Sequence, residues 1–484
     1  MFTLALLSAT AAAVCYSQGW TLYYGDAQAH LDNARRIIDS RTPGYYQLGT
    51  VWLPVPHLLM LPLVWNLRLW QTGLAGTIPA ALCFVMAGVF LFLSARHVYE
   101  SAAAGWAAML VFALNPNLLY LQSTPMTEPI FFATLLALLY VTLRYRDTNS
   151  SGALIGMALL NLIASLTRYE GWFLIPFIAL YVLLVTRQRR LRAAFLFGLI
   201  ASLGPVLWLL HNWWIYGDAL AWYNGPGSAI AIQGSAHYAG EHDWGLAGLY
   251  FRTVLRDVCG IVPLSIAALG LLGVLWRRAL WPVLMLLLPP IFYIWSIHSG
   301  GLPIHIPELW PHSYYNTRYG LAALPLIAFF AAGVLVLVPE KFRRYAVALI
   351  AVLVAIPWLA HPHPDHWLCW KESEVNSVAR RAWTAQAAEI LSQNYRGGGI
   401  LATSGDVTGI FCRAGIPLRD TLNDGNYPAW WFAVESPVAL IDEEWAVDQA
   451  GDTVSRTMAR ARGYRMVYRV KVPDAPAVEI WRRQ

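Results

Sequence analysis

The residues best suited to chemistry follow the first apolar segment of this 484-residue chain. Tyr23–His57, YYGDAQAHLDNARRIIDSRTPGYYQLGTVWLPVPH, contains three Asp, three Arg and two His. Asp26 is typical of an N-cap residue, and the spacing predicts an amphipathic helix from it to Ser40. A carboxylate there predicts a general base for a hydroxyl group, with His30 and His57 as binding residues. The alternative is a plain helix cap on a solvated face.

Two further polar turns carry acidic and basic side chains. Glu128 is the one acidic residue of Gln122–Pro129, QSTPMTEP, and is either another helix cap or a second active-site carboxylate. Arg168 and Glu170 lie in TRYEGW. Residues two apart do not face each other on a helix, so we expect each to find a different partner. They are either interfacial anchors or the charged wall of the same cavity.

A fourth polar segment, His312–Gly320, reads HSYYNTRYG. The guanidinium of Arg318 can bind a phosphate with a bidentate fork, or it can snorkel to the membrane surface. Its neighbours add hydroxyl and amide groups for substrate binding: Tyr314, Tyr315, Asn316 and Tyr319.

Composition separates the chain into two parts. The sequence is 57% hydrophobic and 13% charged, with a mean hydropathy of +0.47. Residues 371–484 contain 28 charged residues, and the first 370 residues contain only 34. We therefore predict a mainly α, polytopic membrane region over residues 1–360 and a soluble α/β domain over residues 371–484. The net charge of +6 does not indicate nucleic acid, because basic residues in membrane proteins are mostly topological.

Apolar segments predict about eleven transmembrane helices, since a span needs about 20 apolar residues. The predicted spans are 2–19, 74–95, 102–121, 127–143, 152–167, 172–186, 193–215, 253–275, 279–297, 319–338 and 345–360. Short Arg-rich loops alternate with longer loops rich in Trp, Tyr, Pro and His, and the basic loops should face the cytoplasm. The N-terminus is then cytoplasmic. The first loop, 20–73, and the C-terminal domain are then extracytoplasmic, in a bacterial inner or plasma membrane.

The C-terminal segment predicts one helix and several short strands. Ser377–Leu391 has helical spacing, and NDGN at Asn423–Asn426 is a turn signal. The predicted strands are Gly399–Thr403, Pro437–Ile441, Met466–Val470 and Ala477–Trp481.

Cysteine and histidine patterns do not predict a metal site. The five Cys show no CxxC or zinc spacing. His361–His366, HPHPDH, has metal-ligating residue types, but its prolines favour a stiff linker. Cys369 and Cys412 could form a disulfide on an oxidising side of the membrane, and the sequence leaves this open.

The four polar motifs resemble those of the GT-C superfamily of membrane glycosyltransferases. The resemblance is nearest to polyprenyl-phosphate-sugar enzymes of the protein-mannosyltransferase and aminoarabinose-transferase type. It rests on YYGDAQAHLDNARRI, QSTPMTEP, LTRYEGW and SYYNTRYGLAALP. It implies Asp26 as catalytic base, juxtamembrane helices within 26–72 and a lipid-phosphate donor near the later loops. The Asp-Glu pair common in the first loop is absent because Ala27 follows Asp26, so Glu128 is the second catalytic candidate. Metal use varies across the superfamily, so the cofactor is unknown.

Together these features predict an integral membrane hexosyltransferase. A polyprenyl-phosphate-linked sugar would be the donor, a glycan, lipid or protein would supply the acceptor hydroxyl, and transfer would invert the anomeric carbon. Membrane lipids are the other expected partners. Two alternatives belong to different classes: a lipid or polyol transporter or flippase, and a non-catalytic subunit of an envelope glycan assembly complex.

Overall fold

Helices form most of the chain in the computed structural model, which describes residues 1–405, 407–437 and 441–484. The helices up to residue 360 are α1 (Phe2–Ser17), α2 (Gly25–Arg36), α3 (Pro54–Val64), α4 (Leu67–Gln71), α5 (Leu74–Tyr99), α6 (Ala102–Ala113), α7 (Pro116–Leu121), α8 (Glu128–Thr148), α9 (Ser151–Ser165), α10 (Glu170–Val185), α11 (Arg190–Ala201), α12 (Leu203–Tyr216), α13 (Ala221–Asn224), α14 (Ala229–Gln233), α15 (Trp244–Cys259), α16 (Ile261–Trp276), α17 (Leu280–Ser299), α18 (Leu324–Ala332), α19 (Val334–Leu337) and α20 (Arg343–Ala360).

Within the described residues, six of the eleven predicted spans are helices long and apolar enough to cross a membrane. They are Leu74–Tyr99, Glu128–Thr148, Arg190–Tyr216, Leu280–Ser299, Thr317–Leu337 and Glu340–Ala360. Four more predicted spans are apolar helices of 10–17 residues, namely α1, α6, α9 and α10. The predicted span 102–121 is divided because Asn115 caps a new helix and Pro116 occupies its first turn. The chain is thus an integral, multi-pass membrane protein.

The predicted span 253–275 is wrong as a single straight helix. Helices α15 and α16 meet there at 104°. Gly260 lies between them with a φ of +84°, in the region that favours glycine. A Cβ atom at Gly260 would also lie 3.3 Å from the ring of Trp358, so this position combines a positive φ with a close contact.

The first loop contains the expected juxtamembrane helices, α2, α3 and α4. The prediction of Asp26 as N-cap is wrong, because Tyr24 precedes the helix and Asp26 lies in its first turn. The helix ends at Arg36 rather than at Ser40. A carboxylate in the first turn is still favourable beside the positive end of the helix dipole.

The C-terminal region contains a long helix and a five-stranded mixed sheet. Its elements are α21 (Leu368–Asn394), β1 (Ile400–Ala402), α22 (Thr408–Ala414), β2 (Thr421–Leu422), α23 (Ala429–Glu435), β3 (Trp445–Gln449), α24 (Thr453–Met458), β4 (Tyr464–Val470) and β5 (Val478–Arg483). The strand order is β2-β1-β3-β5-β4. Strand β1 pairs in parallel with β2 and β3, whereas β5 pairs antiparallel with β3 and β4.

Three of the predicted C-terminal strands are present, as β1, β4 and β5, and the predicted helix is part of α21. The predicted strand Pro437–Ile441 lies largely outside the described residues. The NDGN turn is present, since the Asn426 N–H donates to the Asn423 carbonyl. Strands β2 and β3 were not predicted from the sequence.

The first loop and the C-terminal region share one hydrophobic core. Leu31 on α2, Met60 on α3 and Trp70 on α4 pack in the same cluster as Trp383 on α21 and Phe411 on α22. This shared core packs the first loop against the C-terminal region, so α2 has a defined position relative to that region.

Candidate active site

A cavity of about 340 Å³ lies where several helices begin at one end of the membrane region. Helices α2, α8 and α10 each carry an acidic residue in the first turn. Acidic side chains are favoured at helix N-termini because the free N–H groups and the dipole attract negative charge. We call five charged residues that line the cavity the cavity cluster: Asp26, Glu128, Arg168, Glu170 and Arg318.

Asp26 and Arg318 form an ion pair at the cavity wall. The Nη2 atom of Arg318 lies 2.6 Å from Oδ2 of Asp26. The Asp26 side chain is 42% exposed, whereas that of Arg318 is 9% exposed. A molecule in the cavity can therefore reach the Asp26 carboxylate, which the more deeply buried Arg318 keeps in place.

Glu128 joins the two arginines of the cavity cluster. Its Oε1 accepts from Arg318 Nε at 3.1 Å and from Arg168 Nη1 at 3.2 Å. Its Oε2 is buried and has no hydrogen-bond partner in the described part of the chain. Unpartnered buried polar atoms are rare in folded proteins, so this oxygen is a candidate contact for a bound molecule.

Arg168 and Glu170 contact each other, which corrects the expectation that they would find different partners. Arg168 Nε donates to Glu170 Oε1 at 2.8 Å, because Arg168 lies in the turn before α10 and not on the helix. Gly171 makes this turn possible, since a Cβ there would lie 2.4 Å from the backbone of Ala164. Tyr293 on α17 bridges the pair: its hydroxyl accepts from Arg168 and donates to Glu170.

Tyr319 lies between the two arginines. The guanidinium carbons of Arg318 and Arg168 are 5.0 and 5.8 Å from its ring centre, within cation–π distance. Its ring stacks on Tyr293 at 4.5 Å. These contacts fix the planes of both guanidinium groups.

His30 and His57 form a buried pair, with His30 Nδ1 and His57 Nε2 2.9 Å apart. Burial, reinforced by Arg168 and Arg318, lowers the pKa of His30 to about 3. Burial also lowers the pKa of His57 well below its usual value, with His30 adding to the effect. Both rings are therefore neutral at neutral pH. His30 lines the cavity, and His57 lies behind it.

The other side of the cavity is apolar and aromatic. Trp222 stacks on Tyr169 at 4.5 Å, and the rings of Phe292 and Trp295 extend this wall along α17. Ile230 on α14 also lines the cavity. The cavity thus joins a charged end to an apolar end, as a ligand with a polar head and an apolar tail requires.

The remaining predicted residues divide between the cavity and its surroundings. Tyr315 and Asn316 line the cavity, whereas Tyr314 does not and accepts instead, through its carbonyl, from Asn376. Sequence reasoning missed Tyr293, which sits in an apolar helix, and Glu372 on α21. Glu372 lies in the polar first turns of α21, where Lys371 and Glu374 are also charged, so the sequence carries no signal that singles it out.

Glu372 is buried, and its carboxylate accepts hydrogen bonds from the N–H groups of Asn316 and Thr317, immediately before Arg318. Burial raises the pKa of Glu372 above its ordinary value, and Arg318 and the hydrogen bonds of Thr317 and Asn316 oppose that rise.

No group of three or more His, Cys, Asp or Glu side chains is arranged to hold a metal ion within residues 1–405, 407–437 and 441–484. Cys369 and Cys412 are both buried and unbonded.

The fold and the cavity define an integral membrane protein whose polar cavity opens at one end of its helices. Residues 57–214 match a family model described as dolichyl-phosphate-mannose-protein mannosyltransferase. This third of the chain includes Glu128, Arg168 and Glu170. No curated protein matches the sequence.

Two solved structures of ArnT from Cupriavidus metallidurans have the same fold. The structure bound to undecaprenyl phosphate aligns with a TM-score of 0.57 at 14% identity, covering 98% of this chain and 97% of that chain. The apo structure aligns with a TM-score of 0.55 at 16% identity, covering 98% of each chain. The expected GT-C resemblance is therefore confirmed for the fold, including the C-terminal α/β region.

Proposed function

We propose that this protein is a glycosyltransferase of the hexosyltransferase type. It would move a sugar from a polyprenyl-phosphate donor to an acceptor hydroxyl and invert the anomeric carbon. The observation that carries the proposal is Asp26, an exposed carboxylate in a cavity whose other charged side chains are largely buried. A base must reach the proton that it removes, and Asp26 is the carboxylate of the cluster best placed to do so.

The reaction needs one displacement. Asp26 takes the proton of the acceptor hydroxyl while the hydroxyl oxygen bonds to the anomeric carbon of the donor. The bond from that carbon to the phosphate oxygen breaks, and its electron pair leaves with the lipid phosphate. Because a phosphate is a good leaving group, a single base suffices. Glu128, fixed between two arginines, would orient the sugar through its unpartnered Oε2.

Arg318 is the proposed donor-phosphate ligand. Its Nε edge is occupied by Glu128, and its Nη2 atom faces Asp26 at the cavity wall. A phosphate oxygen at Nη2 would replace or share the Asp26 contact, since guanidinium groups bind phosphates as readily as carboxylates. Donor binding would then release Asp26 to accept the proton, so the base would become available when the donor is in place.

The apolar end of the cavity supports a lipid-linked donor. Trp222, Phe292, Trp295 and Ile230 would contact the chain of a polyprenyl phosphate. The similar fold of ArnT, solved with undecaprenyl phosphate, supports the same ligand class here. The match to the mannosyltransferase family over 57–214 supports transfer of a sugar.

The alternatives have less support. A transporter typically places ionisable residues within its spans, whereas the cavity cluster lies at or beside helix ends. A non-catalytic subunit would not need an exposed carboxylate in a cavity lined by buried charged side chains. We place the cavity on the extracytoplasmic side, because the loops at the other end of the helices are short and basic.

Asp26→Asn tests the proposal, because the amide keeps the size of the side chain and removes its basicity. In purified protein assayed with a panel of undecaprenyl-phosphate sugars, turnover should fall by about 10²- to 10⁴-fold, the usual contribution of a positioned base. Donor binding should survive. Asp147→Asn, on the opposite end of the helices, is the control and should retain full turnover.

Glu128→Gln shows which carboxylate is the base if Asp26→Asn does not lower turnover. Normal turnover of Asp26→Asn together with an inactive Glu128→Gln would assign the base to Glu128 and keep the enzyme. Full turnover in both variants would make these carboxylates structural, and the catalytic proposal would fail.

A further inference from the structure

Glu372 reaches the cavity cluster from outside the membrane region. It lies in the first turns of α21, the helix that follows the last span, and only 2% of its surface is exposed. Removing a carboxylate from water is costly, so a buried acid persists where several donors compensate it. The partners of Glu372 show what its position achieves.

Glu372 caps the short helical segment that carries Arg318. Its Oε1 accepts from the Asn316 N–H at 3.0 Å. Its Oε2 accepts from the Thr317 N–H at 2.7 Å and from the Thr317 hydroxyl at 2.5 Å. These groups begin the 3-10 helix Thr317–Ala323, whose first N–H groups lack partners within the helix. Glu372 therefore fixes where that helix begins.

Glu372 also contacts the guanidinium itself. Arg318 Nη1 lies 3.4 Å from Glu372 Oε1, Nε lies 3.1 Å from Glu128 and Nη2 lies 2.6 Å from Asp26. Three carboxylates from three separate segments thus contact the three nitrogens of one planar group. The carboxylates of Glu372 and Glu128 are buried, so they hold the guanidinium and leave its Nη2 edge toward Asp26 and the cavity.

We propose that Glu372 is a positioning residue, which holds Arg318 so that its Nη2 edge faces the donor phosphate and Asp26. This inference rests on the proposed function, because it assigns Arg318 to a lipid phosphate. It makes the start of α21 part of the active-site support, whereas the second half of that helix packs in the C-terminal core. The contact links the C-terminal region to the chemistry through one side chain.

Glu372→Gln removes the charge at nearly constant size. Its amide group would place N–H donors against the N–H donors of Thr317 or Arg318, so the guanidinium of Arg318 should lose its orientation. Small displacements of such groups cost about 10²-fold, and we expect Kd for undecaprenyl phosphate and kcat/KM to worsen by about 10- to 100-fold. Glu374→Gln is the matched control. It lies on the same helix and pairs with Lys371 at 3.2 Å, and it should stay within about twofold of the unmodified protein.

The double variant Glu372→Gln/Arg318→Lys separates positioning from a general loss of structure. If Glu372 acts through the guanidinium, the double variant should be no worse than Arg318→Lys alone, because coupled residues are not additive. Melting temperatures in detergent show whether each variant is folded. If Glu372→Gln does not fold, Glu372→Asp replaces it. Its shorter side chain should lose the Arg318 contact and weaken lipid-phosphate binding at least about threefold.

Several outcomes would overturn the inference. One is a folded Glu372→Gln, or a folded Glu372→Asp in its place, whose Kd for undecaprenyl phosphate and kcat/KM match those of Glu374→Gln. Another is a double variant in which the losses of the two single variants multiply. An unmodified protein that binds undecaprenyl phosphate but transfers no sugar would instead overturn the proposed function. The Kd values of Glu372→Gln and Glu374→Gln for undecaprenyl phosphate would still decide the role of Glu372. An unmodified protein that binds no lipid phosphate would overturn both.

Discussion

Charged side chains gather at both ends of the membrane helices, but in different surroundings. At the end opposite the cavity lies a second group, which we call the opposite cluster: His97, Glu100, Arg146, Asp147, Arg277 and Arg278. Its ion pairs are as short as those of the cavity cluster, with Arg277 Nη1 2.7 Å from Glu100. However, Glu100 is 73% exposed, whereas Glu128 in the cavity is 5% exposed.

The difference in exposure distinguishes ion pairs on the solvated surface from charged side chains that line a cavity. Exposed ion pairs contribute about 0–1 kcal/mol each and are screened by salt, so they persist without a specific role. Burying the cavity cluster costs far more, and the protein offsets that cost with a connected set of donors and acceptors. Short distances alone therefore do not identify a functional cluster. Burial around a cavity, one exposed carboxylate and one unpartnered oxygen are what distinguish the cavity cluster from the opposite cluster.

The largest effect concerns the membrane side of the two clusters. In a Cys83→Ala background, Ser235→Cys in the loop near the cavity should react fully with an impermeant maleimide added to intact cells. Gln188→Cys in the basic loop at the other end should not react, because that loop should face the cytoplasm. Both positions are exposed, so access is decided by side alone. Labelling of Gln188→Cys from outside would reverse the topology and exclude the extracytoplasmic reaction.

The next largest effect compares one arginine from each cluster. Arg318→Ala should lower kcat/KM for the donor by about 10²-fold or more, because it leaves buried carboxylates without their partner. Arg318→Lys should restore only part of the activity, since an ammonium lacks the fork. Arg277→Ala in the opposite cluster should change kcat/KM by less than about twofold. If donor affinity survives in Arg318→Ala, Arg168 becomes the candidate phosphate ligand.

The two clusters also show what sequence analysis can and cannot do. Polar motifs after apolar segments were enough to pick out all five members of the cavity cluster, because charged residues are sparse in the first 370 residues. Pairings across the fold were not predictable. The Glu128 bridge joins residues 40 and 190 positions away, and local spacing carries no information on such contacts.

Local geometry also limited the prediction. Arg168 and Glu170 were judged by helical spacing, but Arg168 lies in the turn before α10, and Glu170 is the first residue of that helix. Glu372 lies in a polar helix outside the membrane region, where an acidic residue is ordinary. Only the folded chain shows that it is buried against Thr317. The straight span over 253–275 failed because hydropathy does not report the conformation of Gly260.

The smallest effect tests whether burial alone makes a functional carboxylate. Asp32 lies on α2, six residues after Asp26, and is nearly fully buried, but it does not line the cavity. Its Oδ1 accepts from Gln28 Nε2 at 2.9 Å and from Trp70 Nε1 at 3.1 Å. Burial raises the pKa of Asp32 from 3.8 to about 7, against the opposing effect of these hydrogen bonds.

Asp32→Asn should therefore leave turnover within about twofold and change stability in a pH-dependent way. The folded protein holds the proton of Asp32 more tightly than the unfolded chain, so the unmodified protein loses stability as pH rises from about 4 to about 7. Asparagine cannot ionise, and its oxygen can accept both hydrogen bonds. The stability advantage of the variant should thus be near zero at pH 4 and grow to at most about 4 kcal/mol at pH 8, since one pKa unit is worth about 1.4 kcal/mol. Melting curves in detergent across this range measure it. An advantage that does not vary with pH would mean that Asp32 is not the titrating group. A large loss of turnover would mean that the active site extends beyond the cavity cluster.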